Sequence, residues 1–267
     1  MSAPYVSVTD DHQLFVRDWG IGSPILLLAG WAMDSRVWGE TMLALNDLGH
    51  QTIAYDRRGH GRSTDPGIAS LDLLADDLAA VVDSLDLQGV TIVAHSGAAA
   101  EAIRYVSRHG AHRIARLIFV GGTGPQMLAA TDNLDGIPAE ALPFVLDQLA
   151  NRPAQWVDEN AEPFAPGSNQ RVINWLGGMI LDTSRRIMID FQRIIAETDL
   201  RTEAAKLTLP VTLIHGDLDA SAPIDLTAKR YATLIPEAEL LIYEGVAHGV
   251  MVTDSLRLAQ DISLRAT

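Results

Sequence analysis

The chain has no cysteine among its 267 residues, which excludes disulfides, thiolate zinc sites and a cysteine nucleophile. No apolar run approaches the roughly 20 residues that a helix needs to cross a bilayer. The first residues, Met1-Ser2-Ala3-Pro4-Tyr5, lack the basic start and apolar stretch of a signal peptide, so the expected location is cytoplasmic. Positive charge is scarce: 20 Lys and Arg stand against 34 Asp and Glu, a formal net charge of −14. A surface of that sign repels phosphate backbones and anionic headgroups, so neither nucleic acid nor membrane is an expected partner. The acidic residues are dispersed, as on a solvated surface, and there is no internal repeat or low-complexity segment. What is present, 48% hydrophobic and 20% charged residues, is ordinary for a globular enzyme with a large core and does not identify a substrate; the expected partner is a small-molecule substrate. A homo-oligomer is compatible with it.

The order of elements reads as alternating strand and helix. Short apolar runs at 25–29, 51–55, 90–94 and 117–121 read as buried parallel strands. Between them lie an amphipathic helix after Ser70, with Leu71, Leu74, Leu78, Val81 and Leu85 on one stripe, and a helix over 98–109 that stops at Gly110. From about Thr123 to Ala205 no strand is expected, only helical stretches broken by Pro138, Pro143, Pro153, Pro163 and Pro166. Strands resume at 211–215 and 240–243 before a final helix. The expected architecture is an α/β fold, a mostly parallel sheet flanked by helices, whose core comprises 1–122 and 206–267 with a helical cap at 123–205.

In an open parallel sheet, functional residues collect in the loops after the carboxyl ends of strands. The run ending at Ala94 passes directly through His95-Ser96-Gly97-Ala98 into a helix. So tight a strand–serine–helix turn is the setting of a nucleophile elbow, where the serine hydroxyl projects above the sheet. The usual Gly-x-Ser-x-Gly has become Ala94-His95-Ser96-Gly97-Ala98, with alanine as the next smallest side chain. A base must follow late in the chain. Of eight histidines, His248 in Gly245-Val246-Ala247-His248-Gly249 follows the last strand, whereas His215 ends a strand with no suitable acid between it and the serine. The loop after 211–215 supplies two acids. Asp217, beside Gly216, is expected to cap the tight turn, which leaves Asp219 to orient His248. Oxyanion donors are expected at the backbone N–H groups of Gly97 and Trp31.

Taken together these residues resemble the bacterial non-haem haloperoxidase, perhydrolase and aryl esterase group of α/β hydrolases. The likeness spans nearly the whole chain. It includes Gly30-Trp31, the stretch from Ala54 to Ser63 (Ala-Tyr-Asp-Arg-Arg-Gly-His-Gly-Arg-Ser), Ser96, the helix tail 104–110, 196–201, His215-Gly216-Asp217-Leu218-Asp219 and Ala247-His248-Gly249. The resemblance implies a Ser96–His248–Asp219 triad, oxyanion donors at Trp31 and Gly97, a helical cap, and neither metal nor organic cofactor. Relatives usually carry Gly-Phe-Ser-Met-Gly at the elbow. A glycine at 97 is therefore expected to open the acyl side of the pocket, which argues against halogenation or peracid side activity. The His95-Ser96 pair is also similar to the elbow of cofactor-free ring-cleaving dioxygenases of the same fold, which use a His-Asp dyad.

The expected activity is hydrolysis of a small or medium hydrophobic carboxylic ester or lactone through an acyl-enzyme. The alternatives are that dioxygenase chemistry and a ligand-binding pseudo-hydrolase. His95 is expected in the substrate pocket, with Phe144, Trp156, Phe164, Trp175, Leu176, Met179 and Met188 of the cap as candidate apolar lining.

Overall fold

In the computed structural model, which describes residues 4–266, the apolar runs become neighbouring strands of one eight-stranded sheet. An antiparallel pair, β1 (Tyr5–Thr9) and β2 (His12–Trp19), forms one edge. The sequence reading, which starts the sheet at Ile25, passes over this pair. Edge strands are only half covered and mix polar with apolar residues, so they give no continuous apolar run.

The chain continues through β3 (Ser23–Leu28), α1 (Gly39–Asp47), β4 (His50–Tyr55), α2 (Leu71–Ser84), β5 (Val90–His95), α3 (Ala98–His109) and β6 (Ile114–Val120). Five helices follow: α4 (Ala141–Asn151), α5 (Pro153–Phe164), α6 (Gln170–Asp182), α7 (Arg185–Glu197) and α8 (Arg201–Ala204). The sheet is completed by β7 (Val211–Gly216), α9 (Ala228–Leu234), β8 (Glu239–Tyr243), α10 (Val250–Thr253) and α11 (Ser255–Ser263). The strand order is β1-β2-β4-β3-β5-β6-β7-β8, parallel from β4 to β8.

The central strands are apolar throughout because both faces are covered. In β3, Leu26 and Leu28 join the core layer under α2 and α3, while Ile25 and Leu27 join the opposite layer under α1 and α11. Each such fully buried aliphatic side chain contributes roughly 1.5–3 kcal/mol. The Ser70 hydroxyl caps α2 by accepting the Leu73 N–H at 3.2 Å, and Gly110, at φ +81°, ends α3.

Between β6 and β7 the described residues make isolated bridges but no strand of the sheet. The prolines there do not all break helices. Pro143 falls in the first turn of α4 and Pro153 opens α5, positions whose N–H groups have no intrahelical partner in any case. Leu149, Val157, Ala161, Ile180 and Met188 of α4–α7 pack together on Ala32, in the loop after β3. No helix among the described residues is long and apolar enough to cross a membrane.

Candidate active site

The chain adds β4 on one side of β3 and β5 on the other, so the loops after β3 and β5 diverge at the carboxyl end of the sheet. Ser96 sits in that crevice, in the turn from β5 to α3, with φ +55°. A non-glycine residue in this region costs about 1–3 kcal/mol and persists only where its surroundings over-determine it. Here the Ser96 N–H donates to Val120 O at 3.0 Å, and its carbonyl accepts the Ala99 and Thr123 N–H groups. Ala94 and Ala98, on either side, are fully buried, which is why small residues are needed there.

His248 follows β8 and Asp219 follows β7. Asp219, as a carboxylate, can only accept, so His248 Nδ1 carries the proton that bridges to Asp219 Oδ2 at 2.6 Å. That leaves His248 Nε2 free to accept from the Ser96 hydroxyl at 2.9 Å. All three residues are buried. Burial alone would raise the Asp219 pKa, but the charge of His248 and hydrogen bonds from His215 and His248 outweigh it and hold the carboxyl well below its ordinary range.

The same carboxylate is held more firmly than the sequence reading anticipated. Asp219 Oδ1 accepts the Ala222 N–H at 2.7 Å, and His215 Nε2 lies 3.2 Å from Oδ2 and 2.7 Å from Ala222 O. His215, considered only as a rejected base, therefore braces the acid. Its signal was a histidine ending a fully buried strand. Asp217, expected to cap its own turn, instead accepts the Gly245 N–H at 2.7 Å and ties the β7 loop to the loop that carries His248, while the turn's own N–H, that of Ala222, goes to Asp219.

Trp31 follows β3, and a Cβ placed on Gly30 would come within 3.1 Å of Ser96 Cβ, so this loop backs directly onto the serine. Among the described residues neither the Trp31 nor the Gly97 backbone N–H donates to a protein acceptor. The Trp31 indole donates to Met188 O at 2.8 Å and meets Trp156 edge-on at 4.9 Å.

Above the serine opens a cavity of about 300 Å³. Ser96, His248, His95 and Trp31 line its floor, and Trp156, Phe164, Leu176, Ile180 and Ile195 line its walls. Four expected lining residues are elsewhere. Phe144 is 67% exposed on the outer side of α4, and Trp175 is 38% exposed on α6. Met179 is buried, but its sulfur accepts the Asp34 N–H beneath the cavity. Met188 likewise is core under Trp31. The sequence showed that these helices have apolar faces without fixing how each is rotated.

His95 lines the cavity and is buried. Its ring lies 4.6 Å from that of His248, with Nε2 3.2 Å from the His248 carbonyl. Burial, then the adjacent His248, keeps its pKa well below the usual histidine value, so it is neutral. Gly97 does not open the pocket as expected. A Cβ there would lie 2.5 Å from Ile195 Cδ1 and 3.2 Å from Phe191 Cζ, because these side chains of α7 occupy the space that a larger residue at 97 would take.

The profile of the alpha/beta hydrolase fold matches residues 23–255. A non-heme haloperoxidase of Rhodococcus erythropolis is 35% identical, covering 97% of each chain. A bifunctional esterase/perhydrolase of Acinetobacter calcoaceticus is 32% identical, again over 97% of each chain. The crystal structure of a bromoperoxidase from Bacillus anthracis superposes with a TM-score of 0.92 at 26% identity, covering 98% of this chain and 99% of that one. With an elbow, a sheet order and relatives that agree from end to end, this chain belongs to the α/β-hydrolase family, in the group of the non-heme haloperoxidases and esterase/perhydrolases.

Proposed function

We propose that the enzyme is a serine hydrolase that cleaves a carboxylic ester or lactone with a small or medium hydrophobic acyl group. The observation that carries this reading is the chain from Ser96 through His248 to Asp219, at 2.9 and 2.6 Å, on the floor of a largely apolar cavity. His248 takes the Ser96 proton as Oγ attacks the carbonyl carbon. Asp219 fixes the imidazole tautomer and stabilises the imidazolium that forms. The Trp31 and Gly97 N–H groups, with no protein acceptor of their own, are the donors for the tetrahedral oxyanion. Collapse releases the alcohol, which receives its proton from His248, and water then hydrolyses the acyl-enzyme by the same steps. In this reading residues 123–205 are the cap over a core of 1–122 and 206–267. A cavity of about 300 Å³ is at the small end of the roughly 300–1,000 Å³ range of ligand pockets, which supports a small or medium substrate. The name of the relative from Acinetobacter calcoaceticus, a bifunctional esterase/perhydrolase, supports ester chemistry.

A fluorophosphonate probe tests the reading. Stoichiometric labelling of Ser96 that is abolished in His248→Ala is expected. Absence of labelling in folded protein overturns it. Ser96→Ala separates this reading from ring-cleaving dioxygenase chemistry, since the hydrolase loses nearly all turnover whereas a His-Asp dyad retains most of it.

A further inference from the structure

One buried ion pair takes no part in the steps above. Arg57, in the loop after β4 and only 3% exposed, donates from Nε to Glu101 Oε2 at 2.8 Å. Glu101 is fully buried in the first turn of α3, and its other oxygen accepts the Tyr55 hydroxyl. The guanidinium also donates to Ala29 O at 2.7 Å and to Gly30 O at 3.4 Å, and the Phe191 ring of α7 covers it at 4.6 Å. Arg57 does not line the cavity. Burying two charges is costly, so what they hold in place is informative.

They hold the two peptide segments that carry the oxyanion donors. A planar trans peptide points its carbonyl and its N–H in opposite directions. The Gly30 carbonyl that faces Arg57 belongs to the same peptide unit as the Trp31 N–H, so fixing one end aims the other. Glu101 lies four residues after Gly97, in the helical turn whose start presents the Gly97 N–H. We infer that the Arg57–Glu101 pair is the positioning element of the oxyanion hole, setting the separation and direction of the Trp31 and Gly97 N–H groups. The inference rests on the serine-hydrolase reading. The cation beside the Gly30 carbonyl also polarises that peptide and makes its N–H a stronger donor. The pair touches no reacting atom.

Two variants test this. Arg57→Lys keeps a charge beside Glu101 but replaces a planar fork with one ammonium, which cannot hold both carbonyls in the same geometry. The double variant Arg57→Met/Glu101→Gln removes both charges, so neither is left buried alone. Each is assayed on p-nitrophenyl acetate, by thermal melting, and with an aryl trifluoromethyl ketone, whose hemiketal oxygen on Ser96 occupies the oxyanion position. The expected result is a fall in kcat of about 10- to 100-fold with KM changed less than about 3-fold. The inhibition constant of the ketone rises in step. Wild-type KM and kcat in folded variants, a loss confined to KM, or an unchanged ketone constant overturns the inference. Loss of the fold in both variants also overturns it, because the pair is then purely structural. Wild-type protein that is not labelled at Ser96 by the fluorophosphonate brings down the hydrolase reading itself; a labelled wild type with unaffected variants brings down this inference alone.

Discussion

Gly121→Ala adds one carbon atom where the dyad leaves no space for it. Gly121 follows β6 at φ +54°, a conformation that costs an L-residue about 1–2 kcal/mol. The new Cβ would lie 3.1 Å from His248 Nδ1, 3.2 Å from Asp219 Oδ2 and 3.3 Å from His248 Cε1, pressing on their hydrogen bond from one side. Neither partner can retreat freely. Asp219 is tied to the Ala222 N–H, and the His248 loop is tied to the end of α5 by the Gly249 N–H, which donates to Phe164 O at 2.7 Å. The imidazole must therefore tilt by a few tenths of an ångström relative to Ser96. Since a displacement near 1 Å costs about 100-fold, this smaller one predicts a fall in kcat of roughly 5- to 20-fold with KM nearly unchanged. Stability should fall by about 1–2 kcal/mol, a drop of a few degrees in Tm. Steady-state kinetics, a thermal melt and the low-field proton resonance of His248 Nδ1 measure the three effects separately. A variant that loses stability but keeps wild-type kcat and an unshifted resonance refutes the reasoning.

Asp219→Asn keeps the shape but offers His248 an amide in place of an acceptor-only carboxylate. A kcat lower by about 10⁴ in protein with native circular dichroism is expected, and a loss below tenfold contradicts the role given to Asp219. His60 is buried, donates from Nδ1 to Arg58 O, and is pushed down to about 3, first by burial and then by Arg57. Its folded pKa lies below the unfolded value of about 6.5, so its contribution is complete above pH 6.5 and is lost as pH falls from there towards 3. His60→Asn, which retains a donor but does not titrate, should reduce the loss of unfolding free energy between pH 6.5 and 5.0 by about 2 kcal/mol, measured by urea titration; equal losses in the two proteins argue against it. Gly97→Ala should be strongly impaired, and Ile195→Ala in the same chain should restore part of the loss. The coupling expected in a double-mutant cycle is about 1–3 kcal/mol, and strict additivity would mean the two do not touch.

How much could be read beforehand followed from burial and chain order. β3, β5, β6 and β7 were legible because a strand covered on both faces must be apolar at every position, whereas β1 and β2, half covered at the edge, left no such run. Ser96, Asp219 and His248 could be named because each follows the carboxyl end of a strand, and the fold brings those ends together. The rotation of α4 and α5 was not legible: Phe144 and Phe164 look alike in sequence, yet one faces solvent and the other the cavity. Nor was the bracing of the acid, since the i, i+4 spacing of His215 and Asp219 acquires meaning only when the loop curls the carboxylate back. Two consecutive arginines in the loop after a strand give no sign in the sequence of their partners. Only the fold shows Arg57 against Glu101 and Arg58 against Asp77, both buried.

The hydrogen bond from Gly249 to Phe164 O joins the residue after His248 to the last residue of α5. It makes a wall of the pocket and the loop of His248 one hydrogen-bonded unit. On the serine-hydrolase proposal, any displacement of α5 from this position would break that bond and release the loop on which His248 rides, and its return would restore both together. The proposed base and the wall of the pocket would then be set or released together, so a Ser96 opened to bulk solvent would be one without its partner in place.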